Sequence, residues 1–200
     1  MGYCRVAVDD REALRAWCRG DKAAGDALIL RHFDPICRFF RSKLGDDVED
    51  LIQRTFLDLL EAAGRSEIEN VRATLFTIAH RRLLDHLRTV YRAPPEGLTS
   101  LSVADLGTSP SRAAGRSEEE RLLREALRHI SLDHQIVLEL AYWEELGGPE
   151  IAMILGITEN TVRSRLARAR EALREQLEKL ARTPAQARST LEDFTARAVS

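Results

Sequence analysis

Residues 147–177, GGPEIAMILGITENTVRSRLARAREALREQL, place two helix signals on either side of a sharp turn. Pro149 has the fixed φ of a first helical position, and Ile151, Ala152 and Leu155 follow on one side. Gly156, lacking a Cβ, can take the positive φ a tight corner needs, and Ile157 fills that corner. Thr158 is the expected N-cap of the second helix, in which Val162, Leu166, Ala169 and Leu173 recur at helical spacing. Asn160, Arg163, Ser164, Ala167 and Arg168 then share the opposite face, and Arg165 and Arg170 add to the positive charge. An ordinary solvated helix face could carry those arginines. It would not need the joint spacing of Ala152, Gly156, Ile157 and Val162, which specifies a helix-turn-helix with a basic second helix sized for a DNA major groove.

The rest of the chain is written in the same helical period. Ala, Leu, Arg and Glu dominate, runs rich in Val, Ile and Thr are missing, and a hydrophobic content of 44% is enough to bury cores, so the expectation is all-α. Leu14 and Trp17 mark one helix and Leu28, Phe33, Ile36, Phe39 and Phe40 a second, broken at Arg19-Gly20-Asp21. Val48, Leu51, Ile52, Thr55, Phe56, Leu59 and Leu60 form an amphipathic helix that Gly64 is expected to end. A longer helix from about Val71 to Tyr91 turns Leu75, Ile78, Ala79, Leu83, Leu87 and Val90 inward and Arg81, Asp85, Arg88 and Arg92 outward. Phe76 and Tyr91 could stack on bases, although an aromatic at helical spacing is more often core. From Ala93 to about Ser117 the Pro-, Gly- and Ser-rich composition reads as a flexible linker. Leu122, Leu123, Ala126, Leu127 and Ile130 then give a helix, and Ser131 is placed to cap another that contains Ile136, Val137, Leu140 and Trp143. The expected organisation is two small helical domains, 1–93 and 118–182, with a linker at 94–117 and a tail at 183–200 that is either a short helix or mobile.

Net charge is only −2, so local charge carries the information. Asp46, Asp47, Glu49, Asp50, Asp58, Glu61, Glu67 and Glu69 face only Arg54 and Arg65 between Leu44 and Asn70. Arg72, Arg81, Arg82, Arg88 and Arg92, with His80 and His86, face only Asp85 in the next block. One acidic and two basic surfaces suggest a protein partner with basic patches and a polyanion. Cys4, Cys18 and Cys37 are scattered and odd in number, as expected of cytosolic thiols. No apolar run has the length of a membrane span and no signal-peptide core follows the start, so a cytoplasmic location is expected.

In this order the motifs resemble those of a bacterial RNA polymerase sigma factor of the extracytoplasmic-function (ECF) type, in the sigma-seventy family, which has only the second and fourth conserved regions. Residues 47–56, DVEDLIQRTF, resemble the family's core-polymerase-binding helix, residues 73–92 its minus-ten helix, and residues 147–173 its minus-thirty-five reader. The resemblance implies a core-binding surface at Asp47, Asp50, Gln53 and Arg54, where Arg54 stands in place of the usual acidic residue. It implies minus-ten contacts from Arg72, His80, Arg81, Arg82, Asp85, Arg88 and Arg92, with an unpaired base captured by the loop at about Arg65 to Val71. Here His80-Arg81-Arg82 stands where the family has Arg-Asn-Arg, and Gly147-Gly148-Pro149 replaces its Leu-Ser-Tyr type of helix start. It implies minus-thirty-five contacts from Asn160, Arg163, Ser164, Arg165, Ala167 and Arg168. The implied partners are core RNA polymerase, promoter DNA and, as a further candidate, an anti-sigma factor; no cofactor, metal or chemistry of its own is implied.

Two other classes stay open on sequence alone. A stand-alone helix-turn-helix regulator would bind duplex DNA without polymerase and would not need the motifs of residues 47–92. A helical metalloenzyme would have to use His80, Asp85 and His86, and the six-residue step between the histidines is off the spacing that puts two ligands on one helix face.

Overall fold

The computed structural model describes residues 9–91, 100–105 and 117–196, and the elements in these segments are helical. The first module holds α1 (Asp10–Cys18), α2 (Lys22–Leu44), α3 (Glu49–Arg65) and α4 (Val71–Tyr91). Asp9 and Asp21 cap α1 and α2, their carboxylates accepting from the Arg11 and Ala24 amides at 3.3 and 3.1 Å. The pair can lie close because residue 25 is glycine: a Cβ there would stand 2.5 Å from the Trp17 indole. Leu28, Phe40, Leu59, Leu75, Leu83 and Leu87 close the core with 1% exposure or less. Phe76 belongs to that core and not to a base-stacking surface, its ring meeting Phe39 edge-on at 5.8 Å. Gly64 does not end α3, which continues one residue to Arg65 before Ser66 leaves in extended conformation.

The second module holds α5 (Glu118–Arg128), α6 (Leu132–Tyr142), α7 (Gly148–Leu155), α8 (Glu159–Leu180) and α9 (Pro184–Ala196). Ser117 and Ser131 cap α5 and α6. Trp143 terminates α6 and does not lie inside it. The tail is a helix over 184–196, because Ala187, Thr190 and Phe194 are buried, with Phe194 against the rings of Tyr142 and Trp143 at 5.1 and 5.9 Å.

The described part of the expected flexible linker is docked. The Ala104 amide donates to the Arg128 carbonyl and the Leu132 amide to the Leu101 carbonyl, both at 2.9 Å, and Val103 is fully buried. One apolar residue and a few backbone bonds pin 100–105 to the junction of α5 and α6, with too little periodicity to be seen in sequence. Residues 94–99 and 106–116, Arg92 and Cys4 lie outside the described residues.

Docking also occurs between the modules. α2 packs on α5 and reaches α6 through the Lys43–Glu139 pair, and α4 packs on α7, so the helix-turn-helix unit sits against the first module instead of hanging from a strap. Among the described residues no helix is long and apolar enough to cross a membrane, and no group of three or more His, Cys, Asp or Glu could hold a metal ion.

Candidate nucleic-acid interface

The turn between α7 and α8 has the geometry its sequence requires. Gly156 takes φ 65° and ψ 34°, the left-handed conformation, and the Ile157 amide donates to the Ala152 carbonyl at 3.0 Å. The Glu150 carboxylate folds back to accept from the Gly147 amide at 3.0 Å, and the Thr158 hydroxyl accepts from the Thr161 amide at 3.2 Å. Both helix starts are thereby fixed. Val162, Ala169, Leu173 and Leu177 anchor α8, and Leu166 is half-buried. Asn160, Arg163, Ser164, Ala167 and Arg168 are all exposed on the outward face. Arg165 differs from them: it is half-buried and pairs with Asp133 of α6 at 3.2 Å. Burial raises the Asp133 carboxyl above its ordinary range, with Arg165 opposing that rise.

On α4 the named side chains divide. Arg81 is exposed, and Arg88 and Asp85 pair with each other at 2.6 Å on the same surface. Arg82 makes a two-pronged bond to Asp58 of α3, at 2.7 and 2.6 Å. Arg72 donates to Glu144, just beyond α6, at 3.0 Å. His80 is half-buried under α7, where it bonds the Ile154 carbonyl, and its pKa falls to about 4 through burial first and the charges of Lys43 and Arg165 second. In the loop before α4, Asn70 uses both ends of its amide: the oxygen accepts from the Ala73 amide at 2.9 Å and the nitrogen donates to Glu150 of α7 at 2.7 Å. The implied minus-ten surface is thus open at Arg81 and Arg88 and covered at Arg72, His80 and Asn70.

Asp47, Asp50, Gln53 and Arg54 are exposed together at the start of α3, and Asp50 pairs with Arg54 at 2.8 Å. Gln53 also lines an apolar cavity of about 310 Å³ with Trp17, Ile29, Phe33, Phe56 and Leu57. The acidic block is less bare than its sequence suggests, because Asp58, Glu61 and Glu67 are answered by Arg82, by Arg65, and by Arg11 together with Arg15.

Sequence reasoning missed the charged groups that join the modules. Lys43 and Glu139 pair at 1% and 2% exposure, and Glu144, at 4%, takes both Arg38 and Arg72. Their signal was periodicity. Lys43 continues the Ile36, Phe39, Phe40 stripe of α2, and Glu139 continues the Ile136, Leu140 stripe of α6, so each places a charge where its own module shows an apolar face.

The fold and its surfaces define a class: a two-module helical protein with one basic helix-turn-helix and one four-helix unit that pairs an acidic helix with a basic one. Comparison with known proteins agrees. The profile described as Sigma-70 region 2 matches residues 28–93, and the one described as Sigma-70, region 4 matches residues 120–173. The ECF RNA polymerase sigma factor SigL of Mycobacterium tuberculosis is 31% identical, over 79% of this chain and 94% of its own. SigW of Bacillus subtilis, also an ECF RNA polymerase sigma factor, is 30% identical, over 81% and 93%. The fold is shared with the sigma factor RpoE of Bartonella quintana, solved with the anti-sigma factor NepR, at a TM-score of 0.61 and 24% identity, covering 76% of this chain and 96% of that one. It is shared as well with CnrH, solved with the cytosolic domain of CnrY, at 0.62 and 23%, covering 86% and 99%. The chain belongs to the ECF RNA polymerase sigma factors of the sigma-70 family, and it is not a stand-alone regulator.

Proposed function

We propose that this sigma factor joins core RNA polymerase through the exposed cluster of Asp47, Asp50, Gln53 and Arg54, and directs it to a two-part promoter. The first module, 1–93, reads the minus-ten element with Arg72, His80, Arg81, Arg82, Asp85, Arg88 and Arg92, its arginines following phosphates and the loop of about 65–71 receiving an unpaired base. The module of 118–182 reads the minus-thirty-five element, with Asn160, Arg163, Ser164, Ala167 and Arg168 in the major groove and Arg165 braced at its edge. The stretch 94–117 connects them and 183–200 is a C-terminal extension. The protein works in the cytoplasm, supplies no catalysis and leaves phosphodiester chemistry to polymerase. An anti-sigma factor is a candidate partner, on the precedent of the two solved relatives' complexes.

The observation that best supports this reading is the outward row of α8, exposed on a helix whose start and anchor are both fixed. Run-off transcription with core polymerase on a fragmented genomic library tests it. Discrete transcripts dependent on the added chain are expected; a duplex footprint by the chain alone, with no transcript, would refute it.

A further inference from the structure

The contact between the modules is polar, buried and placed over one of the two DNA-reading surfaces. The Lys43 ammonium bonds the Glu139 carboxylate, the Ser42 hydroxyl at 2.9 Å and the Phe39 carbonyl at 2.8 Å, and lies 4.1 Å over the Phe39 ring. Gln135 donates to the same carboxylate at 2.8 Å and to the Ser42 carbonyl at 3.3 Å. At the rim Glu144 holds Arg38 and Arg72, and Glu150 holds Asn70. Closure therefore engages Arg72, His80 and Asn70 of the proposed minus-ten surface, while the proposed minus-thirty-five row of α8 faces solvent.

The same contact is built to come apart. A buried ion pair gains little over solvating its two charges separately, and Gln135 Oε1 is buried with no hydrogen-bond partner, a cost that opening relieves. Closing the two modules on apolar faces alone would give a tighter and less reversible contact. A charge pair gives one that releases when either partner finds water or another ion.

We propose that this chain carries its own off-state: the Lys43–Glu139 pair, with Ser42 and Gln135, latches α6 and α7 over the loop before α4 and over α4 itself, so that single-stranded DNA is refused while duplex DNA can still be read by α8. The latch needs no second protein, and it rests on the reading of α4 as a DNA surface.

The test uses the full chain, small-angle X-ray scattering for its dimensions, and two probes, a random single-stranded 20-mer and a random 30-base-pair duplex. Lys43→Met leaves Glu139 unpaired in the closed form and hydrated in the open one. It is expected to enlarge the radius of gyration and to tighten single-strand binding tenfold or more, with duplex binding changed less than twofold. Adding Glu139→Leu removes the orphaned carboxylate and is expected to restore both the compact form and the weak single-strand binding. Should Lys43→Met lose its helix content, Glu144→Gln, which frees Arg38 and Arg72 at the rim, is read the same way with an expected threefold gain. Unchanged dimensions in the folded variant would overturn the latch and leave the DNA reading of α4 intact. Expanded dimensions with unchanged single-strand binding would overturn the masking, and the reading of α4 with it.

Discussion

Acid should loosen this protein through His80, and the size of the effect follows from its position. The ring lies under α7, where burial first and the nearby charges of Lys43 and Arg165 second hold its pKa at about 4 instead of 6.5, against the opposing pull of its bond to the Ile154 carbonyl. A histidine with a depressed folded-state pKa contributes its full stability above the unfolded value and loses it as pH falls toward the folded one, because the unfolded chain takes up the proton first. The loss therefore opens near pH 6.5 and is complete below about pH 4. At pH 5 about 97% of unfolded-state rings are charged against about 9% of folded ones, which corresponds to a loss of about 2 kcal/mol relative to pH 7.5. His80→Asn keeps a polar group of similar reach and cannot charge. Urea unfolding of both proteins at pH 7.5 and 5 separates this term from the carboxylates they share, since those cancel in the difference. The wild type should lose about 2 kcal/mol more than the variant over that interval. Equal losses would mean that His80 does not titrate against a closed interface, and the covering of α4 by α7 would have to be abandoned.

Other consequences are more local. Arg163→Ala or Arg168→Ala should weaken promoter binding by about 1–3 kcal/mol each if the arginine meets a guanine, or lower the salt slope by about one if it meets a phosphate. Arg165→Ala, tied to Asp133, should instead act mainly on stability, a contrast that anisotropy titrations over a salt series, beside thermal melts, would resolve. Gly25→Ala forces a Cβ into the Trp17 indole and should cost about 1–3 kcal/mol, with a shift in tryptophan emission; an unaltered melt would show that α1 can move away freely. Phe194→Ala empties a fully packed site and should cost about 3 kcal/mol if α9 unfolds together with its module, measured by urea midpoint, whereas a loss near zero would make α9 a detachable flap.

What could be read in the sequence was whatever local physics alone decides. The corner at Gly156 and the caps at Ser131 and Thr158 depend on residues a few positions apart, and they stand where the pattern puts them. α4 starts at Val71, where its apolar period begins, although Val90, expected on the inner side, is 55% exposed. Gly64 misled because glycine marks a helix end only when the chain needs positive φ there, and the last turn of α3 carries it at ordinary helical angles. Residues 100–105 misled because Val103 is a single apolar anchor inside a polar composition. The candidate surfaces divided in the same way. The exposed row of α8 follows from helix geometry, which fixes the outer face once the inner one is known. Whether Arg72, His80 and Arg82 are free was not legible, since their partners Glu144, Ile154 and Asp58 come from outside α4, two of them from the other module. Lys43 and Glu139 escaped notice because each looks like a stray surface charge until both stripes are laid against each other.

The most direct measurement mixes the purified chain with core polymerase and passes the mixture over a sizing column before transcription on a promoter selected from genomic DNA. A stable complex, weakened by Asp50→Ala together with Gln53→Ala, and transcripts that begin downstream of a two-part site are the expected result. A chain that elutes apart from polymerase and initiates nothing would contradict the account at its base.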